Sequence, residues 1–220
     1  MRMKDVNMPN LSLYHFPGAC SQVTVCALEQ AGIPYTLNLV NLLQGEQSTP
    51  EYLAVSPLGK VPTMIADGQS LTENAALLVY INALKPDAGL FPVNPSPLML
   101  SSMQAGLSFC GGTLHPQVRG ILNPQRITTG DGAPVREMAT ALAKKAFAFA
   151  EYRLAEKTWW LGQESIIDVY LNWAFTVARN GGFDTAGYPL LSDLDKRLAV
   201  RPAFARMLEI EAESKAALGL

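Results

Sequence analysis

Four prolines (Pro86, Pro92, Pro95 and Pro97) and Gly89 fall between residues 85 and 97. Each proline fixes φ and lacks a backbone N–H, so neither a helix nor a central strand runs through such a stretch. The chain is therefore expected to fold as two segments joined by a linker at 85–97. With 220 residues, 49% of them hydrophobic and 16% charged, there is enough apolar material for a substantial core without disulfide or metal staples.

The two sides of the linker differ in period. Before it, Leu11-Ser12-Leu13-Tyr14 alternates as a strand that Pro17-Gly18 stops, and residues 21–31 carry helical spacing until Gly32 and Pro34. Residues 35–42 alternate again, 44–53 read as a loose helix, and Pro57-Leu58-Gly59 turns the chain. Thr63-Met64-Ile65-Ala66 and Gln69-Ser70-Leu71, joined by Asp67-Gly68, form a hairpin, and residues 73–84 close the segment as a helix. The order βαβ, α, ββα predicts an α/β domain with a mixed four-stranded sheet over 11–84, after a short extension at 1–10. Beyond the linker the pattern is helical at 98–122, interrupted near Gly111-Gly112, and again at 135–157, 165–179, 190–200 and 203–218. No strand pattern appears there, so 98–220 reads as an all-helical domain.

Composition narrows the partners. Seventeen basic side chains nearly balance nineteen acidic ones, leaving no broad positive field for nucleic acid or an anionic membrane. The apolar runs, such as residues 75–81, fall short of the roughly 18 residues a membrane span requires. Residues 1–7 are charged with no apolar stretch behind them, so no secretory signal is expected and the protein reads as cytoplasmic. Cys20, Cys26 and Cys110 are odd in number, with no C-x-x-C pair and no histidine cluster at zinc spacing. Neither a disulfide framework nor a metal site is expected.

Gly59-Lys60-Val61-Pro62 sits just before an apolar strand. From the residues alone, Pro62 either opens that strand in the trans form or adopts cis and exposes a backbone edge. The stretch Ser56-Pro57-Leu58-Gly59-Lys60-Val61-Pro62, followed eleven residues later by Glu73-Asn74, resembles the N-P-x-G-x-V-P…E-S pattern of cytosolic glutathione transferases. That resemblance implies that the α/β domain is thioredoxin-like and that Val61-Pro62 is cis. It also implies that Val61 pairs its N–H and C=O with the cysteinyl backbone of glutathione, like an added strand. Glu73 and the N–H groups opening its helix would hold the γ-glutamyl end, the helix facing the carboxylate and Glu73 the ammonium. Read by itself, Glu73 is a first-turn acid stabilised by the helix dipole. Asn74 stands where the family carries serine, and its amide can both donate and accept.

Tyr14-His15-Phe16-Pro17-Gly18-Ala19-Cys20-Ser21 is similar to the P-G-A-C-S motif of the bacterial Beta class, in which the cysteine lies beside the glutathione sulfur. A thiol at the positive end of a helix is favoured as thiolate, and Ser21 adds a hydroxyl next to it. The other reading of Cys20 is a small buried hydrophobe, which is how Cys26 reads. His15 occupies the place of the catalytic Tyr or Ser of other classes; it would donate to the thiolate or take its proton, or else serve as a passive hydrogen-bonding residue in a turn. His115, in Thr113-Leu114-His115-Pro116, falls where the Beta class has a histidine facing the sulfur, and otherwise reads as a surface or interface residue beside a disturbed helix. The basic residue that this class places after its second strand, for the glycine carboxylate of glutathione, is replaced at Gln44-Gly45-Glu46; Lys60 or a partner subunit would have to supply the charge. The S-x-x-S-C-x-W-R signature of the Zeta class is absent, which points away from a maleylacetoacetate isomerase.

In the helical part, Ser165-Ile166-Ile167-Asp168 reads as a capping box with a folding role, and Glu164 stands where a hydrophobic staple residue is expected. Arg119 and Arg126 with His115 form a modest basic cluster, either solvated charge or a site for an acidic second substrate. Trp159-Trp160, Phe147, Phe149 and Tyr170 read as core or interface. Taken whole, the resemblance implies glutathione as co-substrate, no metal, a homodimer, and transfer of the glutathione thiolate to a small, largely apolar electrophile, as in detoxification. Cys20, His15 and His115 would be the catalytic groups, and Ser21, Lys60, Val61, Pro62, Glu73 and Asn74 the glutathione-binding ones. A mixed disulfide at Cys20 would turn the chemistry toward thiol–disulfide exchange. A non-catalytic module that binds apolar ligands or protein partners is compatible with the same fold.

Overall fold

The structure is a computed structural model in which residues 8–220 are described. Of the extension expected at 1–10, residues 1–7 lie outside the described residues. In chain order the elements are β1 (Leu11–His15), α1 (Ser21–Ala31), β2 (Thr36–Leu39), α2 (Pro50–Val55), β3 (Thr63–Ala66), β4 (Gln69–Thr72) and α3 (Asn74–Leu84). Then come α4 (Pro97–Ser108), α5 (His115–Leu122), α6 (Ala133–Lys157), α7 (Ile166–Asn180), α8 (Pro189–Ala199) and α9 (Pro202–Ala217). They form two compact units, one of residues up to Leu90 together with Pro202–Leu220, the other of Phe91–Arg201.

The first unit is built on a four-stranded sheet of order β2-β1-β3-β4. β1 runs parallel to β2 and antiparallel to β3, and β3 runs antiparallel to β4. The parallel pair requires a crossover, which α1 supplies. Alternation in β1 sends Leu11, Leu13 and His15 to the buried side, where Leu13 is opposite Met64 of β3 and Leu37 of β2. α1 buries Val23, Val25, Cys26, Ala27 and Leu28 and ends at Gly32, whose φ of 59° is the left-handed cap that glycine adopts without a Cβ clash. β2 is shorter than the alternation over 35–42 predicts, because Asn41 closes a turn instead. Its N–H donates to the Glu46 carboxylate (2.6 Å), and its own side-chain oxygen accepts from Leu43 N–H at 3.1 Å. The loose helix expected at 44–53 resolves into a single 3-10 turn at Glu46–Ser48 and then α2, capped by Thr49 with Pro50 as its first residue.

The largest departure from the sequence reading concerns α9. Its apolar period is clear, but the period alone does not say what the stripe faces. Phe204, Met207, Ile210, Glu211 and Ser214 are its buried residues, and the helix packs on α1. The sheet unit therefore takes back the last segment of what reads as a continuous helical domain over 98–220.

In the second unit, the interruption expected near Gly111-Gly112 is a π-helical stretch at Phe109–Leu114, which joins α4 directly to α5. Gly106 of α4 admits a close approach: a Cβ there would stand 2.5 Å from the Trp160 indole nitrogen and 2.7 Å from Ile167 Cδ1. Phe91, Phe147, Tyr170, Trp173 and Phe175 are the aromatic side chains of this unit that are fully buried and largest. Trp160 stacks on Phe109 with ring centres 4.9 Å apart and lies under the Arg153 guanidinium at 4.7 Å. At the start of α7, Asp168 accepts from Trp160 N–H (2.8 Å), Ser165 N–H (2.9 Å) and the Ser165 hydroxyl (3.0 Å). Glu164, in place of a hydrophobic staple, pairs with Arg201. Among the described residues no helix is long and apolar enough to cross a membrane.

Candidate functional site

Three stretches distant in sequence meet around Cys20. The chain leaves β1 through a turn in which Ala19 N–H donates to Phe16 C=O (3.1 Å), with Gly18 at φ 79°. Cys20 then stands at the cap position of α1. Its thiol points at the Val61 carbonyl, 3.7 Å away. Its own carbonyl accepts from the Asn74 side-chain amide at 3.1 Å. One residue thus touches both motifs that the sequence singles out, the Val61-Pro62 stretch and the start of α3.

The Val61-Pro62 bond is cis. The segment leading to it is fixed through one carbonyl: Lys60 C=O accepts from the hydroxyls of Tyr52 (2.7 Å), Thr63 (2.9 Å) and Ser56 (3.0 Å). Among the described residues, none accepts a hydrogen bond from Val61 N–H. Val61 lies two residues before Thr63, where the β1–β3 ladder begins opposite Tyr14, so its backbone continues the line of β3 beyond the last paired residue. An extended peptide can add there as one more strand. Gly59 sets the approach: its φ is 58°, and an added Cβ would lie 2.7 Å from the Gln47 carbonyl oxygen. Gly59→Ala is expected to destabilise the protein by about 2 kcal/mol, from left-handed strain plus a backbone clash, as read by urea denaturation. The same variant should weaken any ligand held by Val61.

At the start of α3, Glu73 is exposed and has φ 69° and ψ 113° with no capping hydrogen bond from its side chain. A glutamate in this region is strained, and such strain collects at ligand-binding positions. The first amides of α3 have no partner inside the helix and can receive a carboxylate. Asn74, expected to bind ligand through its side chain, is buried, and its amide is used internally. It joins Thr24 to the Cys20 carbonyl, so α1 and α3 are tied at their starts.

His15 and Ser21 are placed differently from the expectation of direct contact with a thiolate. Both are 0% exposed. His15 Nδ1 is 2.8 Å from Ser21 Oγ, and Nε2 is 3.1 Å from Glu211 Oε1. This second contact lies off the ring N–H direction and is not a hydrogen bond. The ring therefore sits beneath the Cys20 turn and not on its open side. Sequence reasoning missed Glu211, whose Oε2 accepts from Gly18 N–H at 2.6 Å. The available signal was a carboxylate falling on the buried stripe of an amphipathic helix.

Lys60 is exposed, and Glu46, in the region where a basic residue is missing, has its carboxylate engaged by Asn41 N–H. His115 belongs to the helical unit, half-buried, with its ring edge-on to Trp173 at 4.6 Å. Cys110, also in that unit, has its thiol pushed well up by complete burial and by Asp168, which leaves it inert. Among the described residues there is no group of three or more His, Cys, Asp or Glu side chains that could hold a metal ion.

A mixed sheet of this order with a cis proline opening β3 defines a thioredoxin-like protein, here carrying a second, helical unit. Residues 18–84 match the family model described as the glutathione S-transferase N-terminal domain. The bacterial beta class glutathione S-transferase of Sphingomonas chungbukensis is 31% identical, with a TM-score of 0.80 over 91% of this chain and 98% of that one. A glutathione transferase homolog from Sulfitobacter, solved with bound glutathione, is 28% identical with a TM-score of 0.82, over 91% of this chain and 97% of that one. The maleylacetoacetate isomerase maiA of Aspergillus fumigatus is 41% identical over 90 residues, 38% of this chain and 39% of that protein. The chain belongs to the glutathione transferase family.

Proposed function

We propose that the protein is an enzyme that binds glutathione along the Val61 backbone and at the start of α3, and joins the whole glutathione molecule, through its sulfur, to a small electrophile. The observation that carries this reading is the position of Cys20, whose thiol contacts the Val61 carbonyl and whose carbonyl contacts Asn74, next to Glu73. A peptide paired with Val61 and with its γ-glutamyl end at Glu73 would have its cysteinyl sulfur near the Cys20 turn. The bound thiol loses its proton to solvent, and its sulfur then forms a bond to an electrophilic carbon. For an aryl halide, halide leaves with the electron pair of the broken bond. With a glutathione mixed disulfide as oxidant, the Cys20 thiolate attacks one sulfur and becomes glutathionylated, and the other sulfur leaves as thiolate.

His15 and Ser21 hold the turn in this reading, and Cys20 is the group that meets the reacting sulfur. The same reading brings with it a second copy of the chain and a cytoplasmic location. An exposed apolar stripe on α6, made of Met138, Leu142, Phe149 and Tyr152, supplies a face of the kind a homodimer buries.

Calorimetric titration with glutathione and assays with an aryl halide and a mixed disulfide test the proposal. Binding in the millimolar range or tighter is expected, together with turnover of at least one acceptor. Cys20→Ala should lower disulfide exchange by roughly a hundredfold or more, the scale of losing a nucleophile. His115→Ala in the same assays reads whether that residue contributes to turnover, with glutathione affinity unchanged. Absence of glutathione binding at millimolar concentration would sink the proposal.

A further inference from the structure

Glu211 lies 193 residues beyond Gly18 in the chain, yet its carboxylate accepts from Gly18 N–H in the Cys20 turn. Its side chain is 8% exposed, so the carboxylate has been taken largely out of water, which is costly unless its oxygens are engaged. One oxygen takes the Gly18 N–H at 2.6 Å, the short distance of a charge-assisted bond. The other faces His15 Nε2 at 3.1 Å. His15 in turn holds Ser21 Oγ through Nδ1, and Ser21 Oγ lies 3.4 Å from both Phe16 N and Phe16 O. The two arms of this arrangement reach the turn two residues before Cys20 and one residue after it.

We propose that Glu211 is the positioning residue of the Cys20 turn: through Gly18 directly, and through His15 to Ser21, it keeps the thiol held inward against Val61 C=O. The inference rests on the reading of Cys20 as the group that meets glutathione, and deepens it by assigning the control of that thiol to the final helix. With Cys20 only 5% exposed, reagents that lack a docking site reach it only when the turn opens. A tripeptide docked on Val61 meets it in place. Removing the carboxylate should therefore speed indiscriminate modification of Cys20 while slowing its exchange with a glutathione disulfide. A residue that merely supports the fold would not move these two rates in opposite directions.

The test is the rate of Cys20 alkylation by iodoacetamide in the folded full chain, followed by peptide mass spectrometry. Glu211→Ala is expected to raise it about tenfold, the effect of losing the Gly18 hydrogen bond and the His15 contact that oppose a local opening. Its mixed-disulfide exchange is expected to fall by a similar factor, to about a tenth of the wild-type rate. Glu211→Gln keeps an oxygen for Gly18 N–H and should stay within about threefold of wild type in both. In the wild-type chain itself, the Gly18 amide should be protected in hydrogen exchange, a measurement that needs no variant. Alkylation of folded Glu211→Ala within about twofold of wild type, or a Gly18 amide exchanging as fast as an open loop, overturns the proposal. Alkylation does not involve glutathione, so a failure of glutathione binding is read separately from a failure of this assignment.

Discussion

Asp168→Ala is expected to lower the stability of the chain by about 3 kcal/mol or more. The side chain is fully buried and accepts three hydrogen bonds, two from backbone amides and one from a hydroxyl. Alanine leaves the Trp160 and Ser165 donors buried without an acceptor and opens a void at the start of α7. Each orphaned donor costs on the order of 1–3 kcal/mol. Thermal unfolding should show the loss directly, and glutathione affinity should be unaffected at temperatures where the variant stays folded.

The same residue gives the stability a pH dependence with a definite sign. Burial pushes the Asp168 carboxyl up to about 6, against the opposing pull of the Trp160 and Ser165 hydrogen bonds and of Arg197. Below about pH 4 the group is protonated in both folded and unfolded chains, and its contribution is fully present. As pH rises toward 6, the unfolded chain releases a proton that the folded chain retains, so this contribution declines and is lost once the folded group ionises. The advantage of wild type over Asp168→Asn should accordingly shrink between about pH 4 and pH 6. An advantage that grows over that range would contradict the assignment.

Glu73→Gly is expected to move stability and binding in opposite directions. The backbone at φ 69° and ψ 113° is a strained one for glutamate, costing on the order of 1–3 kcal/mol, and glycine relieves it at about 0.5–1 kcal/mol of extra unfolded-chain entropy. The variant should therefore be more stable by about 1 kcal/mol. It also loses the carboxylate proposed to receive the γ-glutamyl ammonium, and a hydrogen bond between charged groups is worth roughly ten- to a hundredfold in affinity. Denaturant midpoints and calorimetry on one preparation test both halves. A destabilised variant that still binds glutathione normally would remove Glu73 from the site and assign its geometry to the fold alone.

Much of the architecture could be read from the residues because period and punctuation act locally. The proline cluster at 86–97, Gly32 after α1 and Asp67-Gly68 between β3 and β4 each mark an end that the structure places within a residue or two. What the residues did not show were relations between segments far apart. The helical period of 203–218 is clear, but that its stripe lies on α1 is not. The role of Glu211 depends on that packing. Likewise, the resemblance implies that His15 is either a group near the sulfur, in the place of the catalytic Tyr or Ser of other classes, or a passive residue of the turn, and only the pleat of β1 shows that it points inward with Leu11 and Leu13. Asn74 reads as a ligand donor in place of serine, and only the approach of Thr24 and the Cys20 carbonyl shows where its amide goes.

The grouping of Pro202–Leu220 with the sheet bears on the order in which the molecule is completed during synthesis. A ribosome delivers β1 and the Cys20 turn before the whole of the helical unit, and the helix that seats on α1 only after it. The intervening unit can close on its own residues while the sheet still lacks its last wall, so the unit begun first is finished last. Throughout that interval the nascent chain carries its thiol in a turn without the Glu211 anchor.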